Sequence, residues 1–329
     1  MGCQSYSREK MTMSSTSQDT PLAIGIDMGG TSIKMGVVRG TDIIAKAEPV
    51  DTQQYVSPEK CFEQVGARIR ALKERYPALA AVGMGLPGFV DHRAGVADSL
   101  TNIPGWYDVP VAQLLTEMSG LPSAADNDAN CMAYAEWKLG AGQGMDDVVC
   151  LTLGTGVGSG IIAGGRMLRG HCCAAGEIGQ VSIDYQGREG YYHNLGALED
   201  YIGNRELAAD AVQAYAAAGT VRTAAECTPL AMELAAKAGD PLALAYWEEL
   251  ARKLACGLVN CHYILNPEAF IIGGGIAKAG ELLFAPLRRF VQAQVYPKHY
   301  AKMKILPALF GNDAGMIGAA RMALDEHLS

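Results

Sequence analysis

The sequence contains no CxxC pair. Its nine cysteines, odd in number, are scattered through 329 residues, which excludes a disulfide framework and a zinc ribbon and fits a reducing cytoplasm. Cys172 and Cys173 are adjacent and cannot both ligate one metal comfortably; they are expected to be buried as small apolar side chains. No apolar stretch approaches bilayer-spanning length. The first twenty residues lack the apolar run of a signal peptide and, polar and rich in Ser and Thr, read as a disordered tail. Gly2 follows Met1, but Tyr6 stands where a myristoylation pattern needs Ser or Thr. Charge is sparse as well, at 19% of residues with a formal net of −8. That balance argues against nucleic acid or an anionic membrane as partner and leaves a small molecule.

What is present is a chain long enough for two lobes and a cleft, with 49% hydrophobic residues and 39 glycines. An apolar run at 22–26 enters the turn Asp27-Met28-Gly29-Gly30-Thr31, and Ile33, Met35, Val37 and Val38 continue as strand, so the unit reads as a hairpin. Cys61, Phe62, Val65, Ile69 and Leu72 recur at helical spacing behind Pro58. Strand character returns at 81–86, and helices are expected at 111–118 and 129–139. The strand 148–153 runs into Gly154-Thr155-Gly156-Val157-Gly158-Ser159-Gly160 and resumes at 161–163, so the second half opens as the first did. A helical region over 241–265, a strand at 269–272, Gly273-Gly274-Gly275 and a terminal helix from Ala314 complete the alternation of an α/β protein.

Glycine turns let backbone N–H groups approach phosphate oxygens, and Thr31 and Thr155 add hydroxyls; each loop alone is also compatible with an ordinary hairpin turn. A dinucleotide fingerprint is excluded, because strand rather than helix follows the glycines and position 159 is serine. The Walker pattern is absent. Asp27 is placed to hold hydrated Mg²⁺ or to form an Asx turn, and Lys34 to neutralise phosphate or sit exposed. Asp126, Asn127, Asp128 and Asn130 form the densest carboxylate and amide cluster; one should cap the following helix, leaving a carboxylate as general base. Glu177, Gln180 and Glu199 are polar groups in glycine-rich sequence, suited to sugar hydroxyls or to solvated loops.

Six motifs occur in one order: Ile24–Lys34 (IGIDMGGTSIK), Gly85–Asp91 (GLPGFVD), Asn127–Asn130 (NDAN), Leu153–Gly160 (LGTGVGSG), Gly176–Gly179 (GEIG) and Ile272–Gly275 (IGGG). In this the chain resembles the repressor, open-reading-frame, kinase (ROK) family of bacterial sugar kinases, from about Leu22 to the C-terminal helix. The resemblance implies a two-lobed actin-like ATPase (ribonuclease H-like) fold with an interlobe cleft. It divides the chain into a smaller lobe of residues 21–128 plus 313–329 and a larger one of 129–312. It implies ATP and Mg²⁺, and Asp128 as the base that activates a sugar 6-hydroxyl. Asp27 stands as the acid near the metal; Gly29, Gly30, Thr31, Lys34, Gly154, Thr155 and Gly156 stand at the phosphates and Gly273, Gly274 and Gly275 near the adenosine. Gly88, Asn102, Asn127, Asp128, Glu177, Gln180 and Glu199 stand at the sugar.

Two departures agree with each other. Many family members carry a histidine three residues after the Glu177 position and a cysteine cluster beyond it, together binding structural zinc. Here Gln180 replaces that histidine, and 185–199 contains no cysteine. A lone His193 cannot complete a tetrahedral site, so the protein is expected to hold no zinc. The family's commonest substrate is glucose, with N-acetylmannosamine as the alternative sugar and a homodimer as the expected assembly. A sugar-responsive repressor or non-catalytic sensor is the alternative of another class. The repressors of the family resemble this chain only after an N-terminal helix-turn-helix domain, for which the expected fold start near Leu22 leaves no room.

Overall fold

A computed structural model describes residues 20–52, 57–100, 103 and 105–328. The first half is built on a sheet that begins with β1 (Leu22–Met28), β2 (Ser32–Arg39) and β3 (Asp42–Lys46), with β4 (Val50–Asp51) pairing against β2. Helix α1 (Pro58–Arg75) follows; Ser57 caps it by accepting from the Lys60 amide, and Pro58 sits in its first turn. β5 (Leu79–Leu86) returns to the sheet, and β6 (Gly88–Asp91), β7 (Val96–Leu100) and β8 (Tyr107–Val109) form a small separate sheet. After α2 (Val111–Ser119), β9 (Ser123–Asn127) completes the order β3-β2-β1-β5-β9 and leads directly into α3 (Asp128–Leu139).

The second half repeats this plan. β10 (Val148–Leu153), β11 (Val157–Ala163) and β12 (Arg166–Leu168) form an antiparallel meander. Helices α4 (Glu199–Ile202), α5 (Asn204–Ala217), α6 (Pro229–Lys237) and α7 (Pro241–Leu265) follow, then β13 (Ala269–Gly274), α8 (Glu281–Gln294), α9 (Pro297–Tyr300) and β14 (Lys304–Pro307). The order is β12-β11-β10-β13-β14. In each sheet the first strand pairs antiparallel with the second (β1 with β2, β10 with β11) and parallel with a later strand that returns after the meander (β1 with β5, β10 with β13). The similarity of the two glycine hairpins in sequence is therefore the visible part of a shared topology.

Each sheet has its own core. Ile24, Ile26, Phe62, Met84 and Trp106 are buried in the first; Leu151, Trp247, Leu254, Phe270 and Phe284 in the second. The central strands read as near-continuous apolar runs because both faces are covered: Val149, Leu151 and Leu153 meet the α7 side, and Val148 and Cys150 meet the α3 side. Helix α10 (Ala314–Leu328) closes the molecule, crossing β1 and β5 and packing on α3. Glycine permits this approach: a Cβ at Gly83 would lie 1.9 Å from the Ala319 carbonyl oxygen, and one at Gly318 1.7 Å from that of Cys131. α3 also packs on β10 and β11, so it stands between the two sheets.

Candidate active site

Parallel pairing brings the carboxyl ends of strands to one edge, where open α/β sheets bind ligands. In the first sheet Asp27 is level with Gly85, and Gly85 with Asp126. In the second, Leu153 is level with Gly274, so the loops beginning at Gly154 and Gly275 leave the same edge.

The polar cluster after β9 sorts itself by hydrogen bonding. Asn127 is the N-cap of α3: its Oδ1 accepts from the amides of Ala129 (2.9 Å) and Asn130 (3.1 Å), and its Nδ2 donates to the Gly88 carbonyl (3.0 Å). Asp126, 1% exposed, accepts from Arg169 Nε (2.7 Å), Asn130 Nδ2 (2.9 Å) and the Asn127 amide (2.7 Å). Both are committed to structure. Asp128 is the carboxylate left over, at the first position of α3, held by one bond from the Ala129 amide (2.8 Å). Burial pushes its carboxyl up to about 7, with the negative charges of Asp27 and Glu177 acting in the same direction. A carboxyl titrating there is matched to general-base work at neutral pH.

Asp27 ends β1 beside the first turn of α10, where a Cβ on Gly315 would lie 2.9 Å from its carboxylate. Burial raises its pKa, Lys34 across the hairpin at 4.0 Å counters this, and Asp313 adds to it. Glu177 opens to solvent, while surrounding protein and the neighbouring Glu199 raise its carboxyl. Glu199 accepts from the Val157 amide (2.8 Å), and Gln180 Nε2 lies 3.5 Å from its other oxygen. Gln180 belongs to the 3₁₀ turn Ile178–Gln180, which is tied to β11 through the Ser159 hydroxyl.

The glycine loops fit a nucleotide triphosphate. A Cβ at Gly30, Gly154 or Gly275 would meet nothing of the protein within 4 Å, and none of the three has positive φ. Neither packing nor backbone conformation therefore demands glycine at these positions, whereas a ligand approaching the loops would. Gly274 is different, with φ of 87° and Leu153 backbone atoms against its Cβ position. Among the described residues the amides of Gly30, Thr31, Thr155 and Gly156 have no protein acceptor, which leaves a set of donors for phosphate oxygens. Gly29 closes the first turn by donating to the Ser32 carbonyl (2.8 Å). Asp27, 4.0 Å from Lys34, is a carboxylate at this edge that could hold a hydrated Mg²⁺.

Other expectations fare differently. Cys172 is exposed and Cys173 half-buried, contrary to the expectation of two buried apolar groups. They lie in the loop 169–177, which leaves the second sheet after β12, so they have no core to enter. Asn102 and residues 1–19 lie outside the described residues. No triad of His, Cys, Asp or Glu donors close enough to share an ion occurs between 180 and 199; His193 Nδ1 instead lies 2.5 Å from Glu189 Oε1. Arg169, which orients Asp126 from the other sheet, was not foreseen; a single arginine beside Gly170 gives no sequence signal.

Comparison with known proteins agrees with this geometry. The profile of the ROK family matches residues 23–326. The chain is 32% identical over 312 residues to a glucokinase of Streptomyces coelicolor, covering 92% of this chain and 97% of that one. It is 32% identical over 303 residues to a glucokinase of Thermotoga maritima, covering 90% and 95%. The solved structure of a ROK family glucokinase from Streptomyces griseus in complex with glucose and AMPPNP superposes with a TM-score of 0.76 at 32% identity, covering 92% of this chain and 99% of that one. The two sheets, the glycine hairpins and these likenesses together show a two-lobed actin-like ATPase fold, and the chain belongs to the ROK family.

Proposed function

We propose that the protein transfers the γ-phosphoryl group of ATP to the 6-hydroxyl of a hexose, with glucose as the first substrate. Asp128 carries this reading: it is the carboxylate of its cluster without a structural partner beyond one helix amide, and its pKa is about 7. The glucokinase relatives and the glucose and AMPPNP in the Streptomyces griseus structure support the substrate pair.

On this reading the sugar lies between a smaller lobe of residues 21–128 and 313–329 and a larger lobe of 129–312. Glu177, Glu199, Asn127 and Gly88 surround it, and Gln180 reaches it through the side-chain amide. Asp128 accepts the 6-hydroxyl proton as that oxygen attacks the γ-phosphorus in line, with positioning and charge neutralisation supplying most of the acceleration. The amides of the two glycine hairpins hold the phosphates, and Gly273–Gly275 border the adenosine. Asp27 would hold Mg²⁺ through water, and the bound ion would supply charge neutralisation at the phosphates.

The test is ADP release against glucose, N-acetylmannosamine, N-acetylglucosamine, allose and fructose, run on the native protein and Asp128→Asn. Glucose should give the highest kcat/KM, and the variant should lose about 10²- to 10⁴-fold in kcat with its sugar affinity kept. Turnover within tenfold of native would remove Asp128 from its role, and faster turnover of another sugar would reassign the substrate.

A further inference from the structure

We propose that Asp91, His92 and Cys173 form a binding site for a thiophilic divalent cation, Zn²⁺ above all, linking the β6–β7 hairpin to the loop 169–177. Among the described residues this is the one group of three His, Cys, Asp or Glu side chains whose donor atoms all lie within 4.8 Å of one another. It is separate from the segment 180–199, in which the family's zinc motif is missing.

The spacing is that of a metal's ligands. Cys173 Sγ lies 3.6 Å from His92 Nδ1 and 3.8 Å from Asp91 Oδ1. A tetrahedral ion with metal–sulfur bonds of about 2.3 Å and metal–nitrogen or metal–oxygen bonds of about 2.1 Å separates such donors by about 3.6 Å. Both distances from sulfur are within a few tenths of an ångström of that value, and the Asp91 and His92 donors lie within 4.8 Å of each other. One sulfur, one imidazole and one carboxylate suit zinc better than Mg²⁺ or Ca²⁺, which prefer all-oxygen shells. The fourth position is left for water.

Hydrogen bonds already hold one of the three ligands in place. Asp91 Oδ1 accepts from the amides of Arg93 (3.0 Å) and Ala94 (3.4 Å), which fixes the carboxylate as outer partners fix metal ligands. All three side chains are half-buried.

The location gives the ion a consequence. Asp91 ends β6 of the small sheet in the first half of the chain and His92 opens the turn after it, whereas Cys173 sits four residues from Glu177 on a loop leaving β12 of the second large sheet. An ion here ties the Glu177 segment to the opposite side of the cleft and should change the KM for sugar more than kcat. That consequence rests on the kinase reading; the binding does not.

The experiment is titration of chelator-treated full-length protein with Co²⁺ and then Zn²⁺, without sugar or nucleotide. One equivalent of Co²⁺ should bind with a thiolate-to-cobalt charge-transfer band and be displaced by Zn²⁺. Cys173→Ser should abolish the band, and His92→Gln should weaken binding by at least about tenfold. Cys172→Ser should change neither. Circular dichroism and melting of the metal-free variants should match the parent, since none of these residues belongs to either core. Absence of the band, or a band that survives Cys173→Ser or disappears in Cys172→Ser, overturns the site. Failure of the kinase reading would show separately, as no phosphoryl transfer from MgATP to any of the sugars by zinc-free protein.

Discussion

If Asp128 is the base, the acid limb of kcat/KM should follow its titration. With a pKa of about 7, about a tenth of the molecules carry the carboxylate at pH 6 and about nine tenths at pH 8, so activity should rise about tenfold between them. Because Asp27 is the larger of the two like charges that raise this value, Asp27→Asn should move the limb to lower pH, whatever it does to the absolute rate. Glu177→Gln should move it the same way by less. Stability carries the opposite signature. A carboxyl raised from 3.8 keeps its proton in the folded state between about pH 4 and about 7, where the unfolded chain has released it. Folding stability from this group is therefore lost as pH rises through that window, by at most about 4 kcal/mol. Asp128→Asn removes the charge and should melt higher than the parent at pH 8 while losing activity. The assay is coupled ADP release at subsaturating glucose and ATP from pH 5.5 to 8.5, beside thermal melts in the same buffers. A flat profile, or a limb unmoved by Asp27→Asn, would refute the assignment.

Two further expectations concern the frame around that base. Gly154→Ala meets open space and should leave the melting temperature within about 2 °C of the parent, yet raise the KM for ATP at least about tenfold; an unchanged KM would take the second hairpin away from the phosphates. Arg169→Met leaves Asp126 buried without its charge partner and should cost about 3–5 kcal/mol in urea denaturation. Combining it with Asp126→Asn should recover part of that loss, and strict additivity would show that the two side chains act independently.

The local pattern was legible because it is local physics. The helical region expected over 241–265 forms there, bounded by an Asp240 cap with Pro241 in its first turn and by Asn266 in the left-handed conformation, all of them chain neighbours. The hairpins at 22–38 and 148–163 announced themselves by apolar runs broken at glycines, and the order of six motifs gave the family. From the residue pattern alone the roles within Asp126–Asn130 were not legible, because four polar residues in five positions offer equivalent chemistry along a chain. Their division into cap, ion-pair acceptor and free carboxylate depends on Gly88 and Arg169, which are 39 and 43 residues away from their partners.

Sequence by itself determined the element types, the glycine loops, the family and the missing zinc ligands beyond Glu177, since each rests on neighbours along the chain. Tertiary structure alone decided which aspartate stays free, that its pKa approaches neutrality, and that Cys173 meets Asp91 and His92. Those properties are set by burial and by charges from distant segments, and no spacing along one strand of sequence encodes a field that arises only when two sheets face each other.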